Sequence, residues 1–121
     1  MTTQARSMIL DRKPFAEGDI IFKEGDEGRC AYLVQTGSIE IVKEGYGGET
    51  RLGVIGAGGI FGEMALIDNK PRMATARALE VSVLVVVGRS AFEEKLRKTD
   101  SFVRALLNIL VRNVRDISER L

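Results

Sequence analysis

Within residues 58–78, GGIFGEMALIDNKPRMATARA, a glutamate and an arginine stand nine positions apart around a short apolar run. Gly62 frees the backbone just where a helix is expected to start, so the N–H groups of Glu63, Met64 and Ala65 fall where helical donors have no acceptor of their own. Helix starts attract anions, and phosphate is a common one. Glu63, placed in that first turn, is favoured there by the helix dipole, which is a sufficient structural role. Its carboxylate is equally suited to accept a hydrogen bond from a sugar hydroxyl while the helix end holds the sugar's phosphate. A cation must then offset the repulsion, and Arg72 is suited to it because a guanidinium binds phosphate oxygens in bidentate fashion. Ala74, Ala76 and Ala78 share the face of Arg72 at the period of a strand, and their small side chains leave room for a ligand. The alternative is that Arg72 and Glu63 pair with each other while Met73, Thr75 and Leu79 form the buried face.

Composition narrows the chemistry. The 121 residues contain no histidine, which removes the commonest general base and most transition-metal sites; neither catalytic nor metal-binding residues are expected. Eighteen basic against seventeen acidic residues leave a net charge of +1, so no global field draws the chain to nucleic acid or an anionic membrane. Cys30 is the sole cysteine, in keeping with a reducing compartment and a small buried hydrophobe. The first residues lack the apolar core of a signal peptide, and no run is long enough to span a bilayer, so the expected location is cytoplasmic.

The elements that must position these residues change character along the chain. Up to Gly88, short β-branched runs alternate with glycine turns, giving strands near 8–15, 20–22, 30–35, 39–44, 50–55, 73–79 and 81–87. The turns EGD, EGDEG, TGS and GYGG supply residues that tolerate positive φ. The last, at 45–48, lacks the lysine and following helix of a phosphate loop and is read as a hairpin. Such a pattern indicates a sandwich, barrel or jelly roll.

Beyond Gly88 neither glycine nor proline occurs, and the pattern becomes helical. Ser90 and Glu93 have the spacing of a capping box ahead of a helix at 92–97, and Asp100 or Ser101 is placed to cap a longer one. In the latter Val103, Leu107, Leu110, Val114, Ile117 and Leu121 form a heptad seam, beside a stripe of Phe102, Leu106 and Ile109 that turns polar at Asn113 and Arg120. Two apolar faces suggest packing on the chain's own barrel and on a second copy, with one broad core face as the alternative.

FGEMAL at 61–66 followed by PRMATARA at 71–78 resembles the phosphate-binding cassette of the cyclic nucleotide-binding domain family. FAEGDIIFKEGDEG at 15–28 and YLVQTGSIEIV at 32–42 resemble that family's first strands and turns. The resemblance implies a mainly β domain: an eight-stranded jelly roll, or double-stranded β-helix, with a short cassette helix and two C-terminal helices. It implies one domain over 1–121, with the jelly roll at 1–88 and the helices at 89–121. Glu63 would bind the ribose 2′-hydroxyl and Arg72 the cyclic phosphate, with backbone donors from Gly62, Ala65 and Met73. Met64 and Ala74 complete the expected ligand-binding set. Family members favouring cGMP often carry a threonine after the arginine; Met73 stands there, so cAMP is the expected ligand and cGMP the second. Asn113 and Arg120 are candidates to cover the base. Few residues precede the first strand, so the N-terminal helical segment of many members is expected to be short or missing.

The expected function is a non-catalytic cyclic nucleotide sensor that transmits occupancy through its C-terminal helices to a downstream effector, with a homodimer through 103–121. A dimerisation or docking module with a vestigial or differently specific site is the alternative. A DNA-binding regulator is disfavoured, because the sequence shows no helix-turn-helix and no basic face.

Overall fold

The computed structural model describes residues 11–120, whose strands alternate between two antiparallel sheets before the chain ends in helices. The strands are β1 (Arg12–Phe15), β2 (Ile20–Phe22), β3 (Cys30–Thr36), β4 (Ser38–Gly45), β5 (Gly48–Gly56), β6 (Ile60–Phe61), β7 (Thr75–Ala78) and β8 (Ser82–Gly88). One sheet has the order β1-β8-β3-β6 and the other β2-β7-β4-β5. Except at the β4–β5 hairpin, each successive strand crosses to the opposite sheet, which is how a jelly roll covers both faces of one core. That core is Val34, Ile39, Phe61, Ala76, Ala78 and Leu84, contributed by both sheets.

Seven of these strands fall where alternation and turn chemistry predict them, and part of the first predicted strand, residues 8–10, lies outside the described residues. Residues 45–48 close a hairpin in which Gly45 pairs with Gly48, as their composition indicates. Two differences bear on the site. The two-residue β6 carries no alternation for a sequence reading to find. And β7 begins at Thr75, so Met73 and Ala74 belong to the approach to the strand. Ala76 and Ala78 then go into the core, and only Ala74 of the three alanines faces the candidate site.

Glu40, 7 % exposed, ties β4 to its neighbours: Arg77 of β7 donates to its Oε2 at 2.7 Å and Arg51 of β5 to its Oε1 at 3.1 Å. The Arg77 hydrogen bond holds the Glu40 carboxyl below the usual carboxylate range. Its buried charge is therefore matched inside the sheet.

The helices are α1 (Met64–Asp68), α2 (Arg89–Arg97) and α3 (Ser101–Glu119). The predicted capping box of α2 does not form: Arg89 is already helical after β8, Gly88 is the N-cap, and Ser90 falls inside the first turn. Glu93 instead meets Arg89 one turn away at 3.4 Å. Asp100 does cap α3, accepting a hydrogen bond from the Phe102 N–H at 3.0 Å.

α3 lies against α1, and the face it turns to its own fold runs through Arg104, Leu107, Val111, Arg115 and Ser118. The predicted seam is mostly elsewhere. Val103, Leu110, Val114 and Ile117 are exposed, as are Phe102, Leu106 and Ile109 of the second stripe, while Leu121 lies outside the described residues. Neither apolar line is the core face of this chain. Among the described residues no helix is long and apolar enough to cross a membrane.

Candidate nucleotide site

Gly62 adopts φ +81°, which turns the chain from β6 into α1 and leaves Glu63 as the N-cap. Glu63 thus precedes the first turn, and its side chain makes no capping hydrogen bond. At the other end of α1, Asn69 takes a left-handed conformation, and Lys70 and Pro71 lead to Arg72. The backbone there is clamped to the EGDEG turn: the Arg72 N–H donates to Asp26 O and its carbonyl accepts from the Gly25 N–H, both at 2.8 Å.

Arg72 is 5 % exposed. Its Nη1 donates to Gly62 O at 2.6 Å and its Nη2 to Cys30 O at 2.7 Å, while the guanidinium carbon sits 4.0 Å above the Phe22 ring. Its Nε is buried without a partner, and among the described residues it forms no salt bridge. Pairing with Glu63, the structural alternative raised by the sequence, does not occur. Burial accordingly pushes the arginine's pKa down.

This packing depends on two glycines. A Cβ at Gly62 would lie 2.8 Å from Arg72 Nη1, and one at Gly28 would meet the Ala65 Cβ and stand 3.1 Å from the guanidinium carbon. Gly28 closes the EGDEG turn, so its glycine has a second use beneath the arginine.

A cavity of about 170 Å³ opens over Arg72 and is lined by all seven sequence-predicted ligand residues, Gly62, Glu63, Met64, Ala65, Arg72, Met73 and Ala74. Phe22 and Phe61 form an aromatic part of its wall, their ring centroids 5.9 Å apart, and Tyr32 stacks behind Phe61 at 5.2 Å. Glu63 is half-buried there, and burial raises its carboxyl pKa above the ordinary value. One cavity therefore holds a buried cation, a desolvated carboxylate and an apolar wall. Together they suit a ligand with an anionic group, a neighbouring hydroxyl and a flat apolar part.

The candidate base-covering residues behave differently. Asn113 and Arg120 are exposed and do not line the cavity; Arg115 is the α3 residue that does. Phe22 and Arg115 also line the cavity and are not evident from the sequence, because each reaches it from a distant part of the chain; Phe61 directly precedes Gly62 but carries no polar group to mark it. Among the described residues no group of three or more acidic or cysteine side chains is placed to hold a metal.

Fold and site together define a nucleotide-binding β roll. The chain belongs to the cyclic nucleotide-binding domain family, whose profile matches residues 12–99. It is 35% identical over 99 residues to a cAMP-dependent protein kinase regulatory subunit of Debaryomyces hansenii, covering 79% of this chain and 21% of that protein. It is 33% identical over 108 residues to the cyclic AMP receptor protein of Thermus thermophilus, covering 88% of this chain and 50% of the relative. The chain thus spans half or less of these relatives' lengths. Among solved structures, the cAMP-bound EAL enzyme Bd1971 superposes with a TM-score of 0.83 at 38% identity, over 87% of this chain and 28% of that one. Its cGMP-bound form superposes with a TM-score of 0.82.

Proposed function

We propose that the chain is a non-catalytic cyclic nucleotide sensor domain, with cAMP as its preferred ligand, acting as one unit in the cytoplasm. The observation that carries this reading is Arg72: a buried cation with an unpartnered Nε beside a cavity, its charge matched by no carboxylate among the described residues. In this reading the cyclic phosphate takes N–H donors of Arg72 that the fold leaves free, Nε among them, and the backbone donors of Gly62, Ala65 and Met73 complete its shell. Glu63 accepts the ribose 2′-hydroxyl, Met64 and Ala74 bound the sugar, and the base lies toward the apolar wall. Met73 offers no hydroxyl to a guanine, which favours cAMP; the likeness to a cGMP-bound structure keeps cGMP as the second ligand. Arg115 replaces Asn113 and Arg120 as the α3 residue nearest the ligand.

Occupancy is passed through α2 and α3 to an effector domain or protein. Calorimetric titration with cAMP and cGMP tests the assignment: cAMP should bind more tightly, and no heat or thermal shift with either would end it.

The exposed apolar lines of α3 favour a second property, self-association through 103–121. Phe102 is 73% exposed and Ile117 59%, although both belong to a helix whose other side is docked. Light scattering should give a dimer for the wild type and a monomer for Leu110→Asp. A monomeric wild type would remove the self-association.

A further inference from the structure

We propose that Arg115 is a positioning residue that makes the docking of α3 and the geometry of the nucleotide site a single equilibrium; the inference rests on the nucleotide reading above. Arg115 spends its donors on one short segment. Its Nε and Nη2 both engage the Asp68 carboxylate, the latter at 3.0 Å, and its Nη1 donates to Pro71 O at 3.0 Å. Asp68 is the last residue of α1, and Pro71 immediately precedes Arg72. The arginine therefore spans the two ends of the link between the end of α1 and the phosphate-binding guanidinium. The side chains of the pair are 11% and 16% exposed, so neither charge is left to water if the contact breaks without undocking.

The same link is held from its other side. Arg89, the first residue of α2, donates to Asn69 Oδ1 at 2.5 Å and to Gly28 O at 2.6 Å. Asn69 is the one described non-glycine residue at positive φ, 58°, a conformation that needs support from its surroundings. Each C-terminal helix thus sends one arginine to the segment between Asp68 and Arg72, and Gly28, held by Arg89, lies directly under the Arg72 guanidinium. A ligand that fixes Arg72 favours the docked helices, and docked helices favour the ligand by the same factor.

The test uses the purified chain with cAMP as the probe and two readouts, calorimetric affinity and amide exchange in α3 with and without nucleotide. Arg115→Gln should weaken cAMP at least tenfold and speed exchange between residues 107 and 118 even without nucleotide. Arg115→Lys keeps the charge but cannot span Asp68 and Pro71 together, so its loss should be intermediate. Arg115→Gln combined with Asp68→Asn should be little worse than Arg115→Gln alone, because both remove one contact. Arg112→Gln, on the exposed side, should bind as the wild type does. Wild-type affinity or unchanged exchange in Arg115→Gln overturns the proposal, as do fully additive losses. If the wild type binds neither nucleotide, the functional reading falls, while the exchange measurement still decides whether Arg115 docks α3 on the cassette.

Discussion

Replacing Arg72 by methionine separates a binding role from a structural one. Methionine keeps most of the length and fills the space over Phe22, but removes the charge and all donors. On the stability side, Gly62 O and Cys30 O each lose a partner, at about 1–3 kcal/mol apiece. Against that stands relief of a buried cation without a counter-charge, whose effective burial penalty is also several kcal/mol. The two effects offset each other to within about 2 kcal/mol. On the binding side there is no offset: two charge-assisted hydrogen bonds to phosphate at about 1.5–3 kcal/mol each amount to roughly 10²- to 10⁴-fold in affinity. Urea denaturation should find Arg72→Met close to the wild type, and calorimetry should find cAMP binding weakened by at least roughly 10²-fold. If Arg72→Met unfolds the chain, or leaves cAMP affinity intact, the argument from an uncompensated cation is wrong.

Two further substitutions probe the same cavity. Burial raises the Glu63 pKa, so folding favours the protonated acid: its contribution to stability is greatest below the ordinary value of 4.5 and is lost as pH rises through the folded pKa. Glu63→Gln should therefore melt higher than the wild type at neutral pH, yet bind cAMP about tenfold more weakly, because a carboxylate is the better acceptor for a ribose hydroxyl. Wild-type affinity should fall as pH drops from neutral toward the raised pKa and that of Glu63→Gln should stay flat; parallel pH profiles would show that Glu63 does not meet the ligand as an ion. Gly62→Ala forces a side chain into φ +81° and a Cβ against Arg72 Nη1, so it should cost about 1–2 kcal/mol of stability and displace the guanidinium. Unchanged cAMP affinity in that variant would mean that the phosphate does not depend on the arginine's present position.

The cassette was legible because its parts are close in sequence. Gly62, Glu63 and Arg72 need only a turn and a five-residue helix to bring them together, and the residue types announce both. What escaped depends on contacts between distant segments. Phe22 reaches the cavity through the pairing of β2 with β7, and Gly28 is required only because Arg72 and Ala65 come to rest against it. The cap of α2 was misplaced because β8 runs straight into the helix, leaving no loop in which Ser90 could act. For α3 the reason is more general. Apolar periodicity finds the most hydrophobic line on a helix, whereas this chain docks α3 along a mixed line in which Leu107 and Val111 stand alongside Arg104, Arg115 and Ser118. Arg115 stands in that line because it meets the polar link after α1, and most of the apolar residues of the other lines are left facing outward.

The partners of Arg72, Arg77 and Arg115 give the physical basis for assigning the ligand to Arg72 in the proposed reading. Arg115 and Arg77 both meet carboxylates, Asp68 in one case and Glu40 and Glu49 in the other, so their charges are balanced within the fold. Arg72 is given only two carbonyl oxygens and an aromatic face, which orient the guanidinium without neutralising it. A carboxylate in salt-bridge range would stabilise the empty site and compete with any phosphate. The chain instead holds Glu63 in the same cavity but out of salt-bridge contact, where burial discourages its charge. An anion without a hydroxyl would satisfy Arg72 and gain nothing from Glu63; a neutral sugar would do the reverse. Only a ligand carrying both groups uses the pair, so under the proposed reading a nucleotide should be favoured over free phosphate.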